Sequence, residues 1–456
     1  MGGLWVRSLG AAVAIVMLLS QDVAFGPSDK SVGAALRNLA ATENPLKLPP
    51  YDRRAIEEFY RARGYKPVWF AGGQETDRAR LAIARLNAAD SEGLRPEDYA
   101  VPLPGAMADA AQVAAAELWL TDRLLAYARH VAYGRILPTQ LGADISYPVR
   151  AFDRAAALTK FVQSTDIGAT LASLAPRQAG YVALRQELAG LRASPPKTPG
   201  DRYVRQATID TIVVNMERWR WMPRDLGGTY IVVNIPDFRL ALVQDGKATW
   251  TTRTVVGART WRTPIISANM TSITLNPIWH VPDSLVREEL AIAGANREDY
   301  FERIGMRSFT GDDGKLHLYQ LPNGSNSLGQ IRFNFPNRFS VFQHDTPIKN
   351  LFDDDWRAYS HGCMRVEHPL AYAEKLLAFV LPNKDYTAKR LSGLLDGDEY
   401  EIRFPRPIPI HLTYQTAFVD ASGALQMRDD IYGYDELMRK LLEQETVEKP
   451  RIAGSF

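Results

Sequence analysis

Thr229-Tyr230-Ile231-Val232-Val233-Asn234 and Arg239-Leu240-Ala241-Leu242-Val243 are two β-branched, apolar runs, with Pro236-Asp237 between them and Asp245-Gly246 after them. Runs of this kind punctuated by turn residues form a β-hairpin, and here they mark where the chain leaves helical periodicity. Upstream, from about residue 50 to 190, apolar residues recur at helical steps. Residues 79–88 bring Leu81, Ile83, Ala84 and Leu86 near one stripe. Residues 110–134 repeat Leu118, Leu125, Ala128 and Ala132, and 181–191 repeat Tyr181, Leu184, Leu188 and Leu191. Between the two regimes, Ser194-Pro195-Pro196-Lys197-Thr198-Pro199-Gly200 reads as a linker, because three prolines and a glycine oppose both helix and central strand. Downstream, strands are expected at 251–256, 273–275, 331–333 and 340–342. Residues 283–326 interrupt them with a helical piece and a polar, Gly-rich stretch, the pattern of a lid or a solvated loop. From Arg406 onward the sequence predicts another strand pair around Asp420-Ala421-Ser422-Gly423, then a helix over 434–443.

The expected fold class is therefore α+β. A mainly helical scaffold covers 30–200, a β-rich domain covers 205–410 with its insertion at about 283–326, and the tail 411–456 completes the scaffold. A chain of 456 residues is long enough for two or three such domains. With 54 basic against 52 acidic residues, no global field favours a nucleic-acid partner. There is no glycine loop for phosphates, and the 7 histidines form no cluster at metal-ligand spacing, so neither a metal nor a nucleotide cofactor is expected. Residues 1–26 have the anatomy of a secretory signal: Arg7, an apolar segment over 9–19, and small residues around Ala24 and Gly26. The apolar segment is shorter than the ~20 residues that cross a bilayer. An exported, periplasmic protein without a membrane span is expected once the signal is removed, an uncleaved anchor being the alternative.

An exported chain with a single cysteine leaves that thiol without an internal partner. Cys363 is then either a reactive group or an interchain disulfide. It sits in Tyr359-Ser360-His361-Gly362-Cys363-Met364-Arg365-Val366, whose small, polar, Gly-flanked character favours reactivity. Cysteine catalysis needs a base within reach, a group that orients the base, and donors for an oxyanion. Two histidines compete for the base. His361 is two residues from Cys363, and His344 stands at the end of a predicted strand in Val341-Phe342-Gln343-His344-Asp345-Thr346-Pro347. The residues alone leave both open. Gly362 permits a sharp turn, its amide and that of Cys363 could converge on an oxyanion, and Arg365 places a fixed positive charge beside the thiol.

His344 followed about fifteen residues later by Ser360-His361-Gly362-Cys363-Met364-Arg365 resembles the signature of the L,D-transpeptidase (YkuD) catalytic domain. Asn276-Pro277-Ile278-Trp279, Asn326-Ser327-Leu328-Gly329, His344-Asp345-Thr346-Pro347, Asp430-Ile431-Tyr432-Gly433 and the segment from Tyr60 to Trp69 resemble its larger, YcbB-type branch. The resemblance implies an exported enzyme that cross-links peptidoglycan stem peptides, without a cofactor, among envelope partners. Its cysteine attacks the carbonyl on the L-centre side of the third stem residue, expels the terminal D-Ala, and passes the thioester to a side-chain amine of a second stem, forming a 3→3 link. Carried over, Cys363 is the nucleophile, His344 the base and the Asp345 carbonyl its orienter. The Gly362 and Cys363 amides form the oxyanion hole. Ser360, His361, Arg365 and Phe342 line the substrate site, with Trp279 at the base of the groove under the lid. Two departures stand out. Residues between Leu191 and Asn215 are too few for the peptidoglycan-binding module common in that branch, and Phe342 stands where a tyrosine is usual. An L,D-carboxypeptidase using the same pair and a non-catalytic wall-binding scaffold are the alternatives.

Overall fold

The computed structural model describes residues 26–41, 48–148, 150–283, 285–287 and 297–444. Apart from Gly26, the expected signal over 1–26 lies outside the described residues. The N-terminal region forms helices α1 (Asp29–Ala41), α2 (Pro50–Ala62), α3 (Asp77–Asn87), α4 (Ala110–Tyr133), α5 (Arg154–Gln163), α6 (Ile167–Ala172) and α7 (Ala179–Ala193). Short strands β1 (Phe70–Ala71), β2 (Gln74–Glu75) and β3 (Ile145–Ser146) lie among them. A capping box starts α4, the Asp109 carboxylate taking the Gln112 N–H while the Gln112 side chain takes the Asp109 N–H. This satisfies donors that the first turn leaves unpaired. Leu120, Leu124, Leu125, Tyr127, Ala128 and Val131 of α4 are fully buried, and α1, α2, α3 and α5 all pack on it. Its buried Glu117 accepts the N–H groups of Trp69 at 3.0 Å and Phe70 at 3.1 Å and the Tyr60 hydroxyl at 2.9 Å. The Tyr60–Trp69 segment is thus tied to the centre of the scaffold.

The expected linker is corrected. Helix α8 (Pro199–Trp221) starts inside it, leaving 194–198 as the connection, and the expected boundary at 205 falls within the helix. Pro199 occupies the first helical position, where a missing N–H costs nothing and the fixed φ suits the helix. Thr198 caps it, exchanging bonds with Asp201 at 3.0 and 3.1 Å. The sequence hid α8 because it has no single apolar stripe. Ile209, Ile212 and Met216 enter the scaffold core, while Val214 and Trp221 enter the core of the sheet beyond.

That sheet consists of β4 (Thr229–Asn234), β5 (Arg239–Gln244), β6 (Lys247–Gly257), β7 (Ile265–Leu275), β11 (Ile331–Asn334), β12 (Gln343–His344), β13 (Ala358–Ser360), β14 (Met364–Val366) and β15 (Tyr400–Thr413), with β3 joining it in parallel on β7. Pairing runs β11-β12-β14-β6-β5-β4-β15-β7, and β7 pairs back onto β11, so the path closes on itself. Closure leaves no open edge along that path and gives the strands a two-sided character. One face buries Ile231, Val233, Leu240, Leu242, Ile273, Ile331, Phe333, Met364 and Val366, and helix α10 (Pro369–Val380) adds Tyr372, Leu376 and Leu377 to that core. The segment expected as a strand at 340–342 is instead a turn. Ser340 takes φ +54°, and the Asn337 side chain accepts the Phe339 N–H and donates to the Val341 carbonyl. The expected boundary at 410 falls inside β15, a strand masked in the sequence by Pro405, Pro407 and Pro409. The first two lie in the irregularity between Arg403 and Ile408, and β4 pairs only from Ile410 onward. Prolines survive in a strand where one side or a bulge needs no N–H.

The insertion is a small folded unit. Strands β8 (Trp279–His280), β9 (Arg307–Thr310) and β10 (Leu316–Gln320) form their own sheet, beside helix α9 (Arg297–Arg303). Val281, Val286, Phe301, Met306 and Leu318 form its separate core, which a solvated loop would lack. Much of the helical piece expected over 284–294 lies outside the described residues. The fully buried Asn326 holds the unit's two ends together, donating to the Pro277 carbonyl at 3.0 Å and the Leu321 carbonyl at 3.1 Å. Past the short helix α11 (Ala388–Ser392), the tail also differs from expectation. Strands β16 (Ala417–Val419) and β17 (Leu425–Met427) do join the scaffold core through Ala417, but helix α12 (Tyr434–Gln444) places Tyr434 and Met438 in the core of the closed sheet.

Candidate active site

Parallel pairing of β12 with β14 sets Gln343 opposite Met364 and His344 opposite Arg365. Side chains alternate along a strand. Gln343 and Met364, both fully buried, therefore face the core, and Phe342, His344, Cys363 and Arg365 share the other face. The Met364 N–H donates to the Phe342 carbonyl at 3.1 Å, which extends the ladder back and makes Cys363 the diagonal neighbour of His344. Diagonal neighbours on one face have backbones roughly 7–8 Å apart, within reach of long side chains. Among the described residues the two share a face but no hydrogen bond.

The base candidate is firmly oriented. His344 Nδ1 meets the Asp345 carbonyl at 2.5 Å. A carbonyl only accepts, so Nδ1 carries the hydrogen and Nε2 keeps the lone pair. Asp345 is itself held, its N–H on the Ile331 carbonyl at 2.8 Å and its carboxylate taking the Gln330 N–H at 3.0 Å and the Lys349 ammonium. Gly329, at φ +61°, backs onto that carboxylate, and a Cβ there would lie 2.5 Å from Asp345 Cγ. Gly329→Ala is expected to cost roughly 1–3 kcal/mol through this clash and its backbone strain. A thermal midpoint equal to that of the parent would refute the packing argument.

The turn carrying Cys363 is braced from behind. Gly362 has φ +106°, a conformation that suits glycine. Ser360 Oγ donates to the Cys363 carbonyl at 2.5 Å and accepts the Gly362 N–H at 3.2 Å. This corrects the expected oxyanion pair, since the Gly362 amide is taken by a hydroxyl two residues back, while among the described residues the Cys363 N–H makes no backbone hydrogen bond. Buried Ser360 is thus a brace inside the turn. Thr263 Oγ1 donates to the Gly362 carbonyl at 2.9 Å, and the Tyr432 hydroxyl bridges Thr263 N–H at 3.1 Å and the Gly257 carbonyl at 2.7 Å. Exposed His361 lies against Trp261, ring centroids 5.2 Å apart.

Two arginines flank His344 across the sheet, Arg365 on β14 and Arg332 on β11. Arg332 was not foreseen, although its place amid the alternating Ile331-Arg332-Phe333 already marked it as facing away from the core. Its Nε donates to Asn334 at 2.8 Å and its guanidinium lies 5.6 Å over the Phe342 ring, which meets His344 edge-on at 5.7 Å. Trp279 pairs with Gln320 in the sheet of the insertion and packs with that unit's core. Among the described residues no group of three His, Cys, Asp or Glu side chains could hold a metal.

Burial, then the Arg365 charge, depress the His344 imidazole to about 3 against the pull of the Asp345 and Leu328 carbonyls. Burial pushes the Cys363 thiol up to about 11 against the Phe342 amide and both arginines. At rest the pair is neutral on both sides. Alkylation of Cys363 by iodoacetamide, which needs the thiolate, should therefore rise about tenfold per pH unit from pH 7 to 10. A plateau already reached near pH 8 would contradict a desolvated thiol.

An oriented neutral imidazole, a thiol on the same face, and an open amide donor are the equipment of cysteine acyl chemistry. Residues 228–398 match the family model of the L,D-transpeptidase catalytic domain (YkuD), and residues 54–188 match that of the Scaffold domain. The chain thus carries a YkuD L,D-transpeptidase catalytic domain together with a Scaffold domain. A curated relative from Haemophilus influenzae bearing the L,D-transpeptidase name is 28% identical over 243 residues. The match takes in 49% of this chain and 48% of that relative, so the chain spans about half of its length. Among solved structures, the L,D-transpeptidase from Mycobacterium smegmatis overlaps 41% of this chain and 58% of its own at 11% identity and a TM-score of 0.22. The catalytic domain of the E. faecium L,D-transpeptidase overlaps 41% and 96% at 17% identity and a TM-score of 0.19.

Proposed function

We propose that this protein is an exported peptidoglycan L,D-transpeptidase that forms 3→3 cross-links through a thioester on Cys363. The observation that carries the reading is the shared face of His344 on β12 and Cys363 just before the parallel β14, with Nδ1 spent on the Asp345 carbonyl. Nε2 then takes the thiol proton as sulfur attacks the L-centre carbonyl of the third residue in a tetrapeptide stem. The Cys363 N–H meets the oxyanion. Collapse expels D-Ala, whose amine recovers the proton from the imidazole. A side-chain amine of a second stem attacks the thioester, closes the new amide and restores the thiol. The insertion, folded around its own core, serves as a lid that keeps water from the thioester. No helix among the described residues is long and apolar enough to cross a membrane. Residues 1–26 supply export to the periplasm, where wall peptides and envelope proteins are the partners. Incubation with purified disaccharide-tetrapeptides tests this: cross-linked dimers and free D-Ala are expected. Tripeptide monomers without dimers would replace the reading with an L,D-carboxypeptidase, because water attacks the same intermediate.

A further inference from the structure

A cavity of about 470 Å³ opens beside β6, between the start of β5 and the segment leading into β13. Its size falls in the range of small-ligand sites, and its lining is charged. Arg239, Arg253, Arg357 and Arg428 face it against Asp237, Asp355 and Asp429. Two of the arginines are already spent. Arg428 is paired with Asp237 at 2.6 Å, and Arg253 with Glu367 at 2.5 Å. The other two are not. Arg357 is buried, yet its guanidinium bonds only backbone carbonyls, of Thr254 at 3.3 Å, Asp354 at 2.5 Å and Phe238 at 3.4 Å. Arg239 is exposed and makes no ion pair among the described residues. Burial and then the neighbouring Arg253 and Arg239 charges depress Arg357, against the opposing pull of the Glu367 and Asp237 carboxylates.

The wall beside these charges is apolar. Arg357 stacks 5.3 Å over the Phe238 ring, and Trp356, 44% exposed, meets that ring edge-on at 6.0 Å. Asp355 and Asp429 also line the space. Their presence disfavours a polyanion and suits a ligand that brings one carboxylate among N–H donors, which is the chemistry of a peptide.

Two of the cavity's arginines, Arg239 and Arg253, share the face of the candidate nucleophile. Val255 lies opposite Arg365, and Arg253 two residues earlier lies opposite Arg239. Cys363 precedes Glu367, the partner of Arg253, by four residues of extended chain, roughly 13 Å. That is about the reach of a short stem peptide.

We infer that this arginine-lined cavity binds a carboxylate of the donor stem peptide upstream of the reacting carbonyl, with Arg239 and Arg357 as its anchors. The inference rests on the transpeptidase reading. It makes the catalytic face itself a wall-binding surface, in a chain with no room for a separate binding module between Leu191 and Asn215.

The test uses the full chain with Cys363→Ala, titrated calorimetrically with a stem tetrapeptide bearing an acidic residue and with the same peptide amidated at that carboxylate. Adding Arg239→Gln is expected to weaken binding of the acidic peptide about tenfold, the worth of one charge-assisted contact, and to leave the amidated peptide unchanged. Arg239→Lys should restore part of the loss, and thermal midpoints should match because Arg239 is exposed. Equal affinity for the acidic peptide with and without Arg239→Gln would overturn the cavity's role while leaving the transpeptidase reading intact. If Cys363→Ala alone binds neither peptide, the transpeptidase reading falls, and this one with it.

Discussion

Cys363→Ala should lower 3→3 dimer formation from purified tetrapeptides by at least about 10⁴-fold, below detection by mass spectrometry of muropeptides. Without sulfur there is no thioester, and neither His344 nor the Cys363 backbone amide can hold the acyl group between the two half-reactions. The substitution removes one small, partly buried side chain. The brace that shapes the turn, Ser360 Oγ to the Cys363 carbonyl and Gly362 N–H to Ser360 Oγ, involves backbone that alanine keeps. Folding should therefore survive, and an unchanged thermal midpoint separates lost chemistry from lost structure. Cys363→Ser is the sharper control. A hydroxyl is far less acidic than a thiol, and the imidazole that would have to deprotonate it is held near 3. Serine should therefore perform almost as poorly as alanine. A wall-binding scaffold without catalysis would give the opposite result, since neither change would alter the muropeptides. Dimers persisting in Cys363→Ala would remove the nucleophile from this account.

Much of the architecture was legible where one face of an element meets a core and the other meets solvent. α3, α4 and α7 announced themselves by apolar spacing, and β4 and β5 by the Pro236-Asp237 punctuation between them. What stayed hidden has a common cause: elements with two partners. α8 feeds both cores and so lacks a stripe, while β15 is paired on both sides only where its prolines end. Local chemistry misled as well. Pro199 opposes a helix in its interior but favours one at its first position, which spacing alone does not reveal.

At the site, the sequence carried identities better than contacts. Strand alternation places His344 and Cys363 on one face once the register is known, but register is a tertiary property, and nothing in either motif states that β12 and β14 are neighbours. The oxyanion expectation treated Gly362 and Cys363 amides as equals; a hydroxyl two residues back claims the first. Arg332 escaped notice because it belongs to neither histidine motif and meets His344 only across the β11–β12 pairing. Tyr432 lies some seventy residues from Cys363 and acts on it through Thr263, a relation visible only in the folded chain.

The second large effect concerns the base. His344→Ala is expected to slow acylation of Cys363 by a tetrapeptide about 10²–10⁴-fold, the usual worth of a positioned general base. The pH profile carries more information than the rate. With the ring held near 3 and the thiol near 11, the parent enzyme should keep a flat kcat/KM from about pH 8 down to about pH 4, because the base stays unprotonated throughout. Without the ring, acylation depends on free thiolate and should climb about tenfold per pH unit over the same range. Added imidazole should recover part of the loss only if the vacated space admits it, so rescue is not required. Stability supplies an independent reading. The native ring refuses a proton that the unfolded chain accepts below about 6.5, so native stability falls as pH drops from there toward 3. His344→Gln abolishes that share, and its thermal midpoint should fall less than that of the parent between pH 7 and pH 5. A parent acid limb with a midpoint near 6.5 would instead mean a solvated imidazole. The paired arginines and the buried face on which this mechanism depends would then have to be abandoned together.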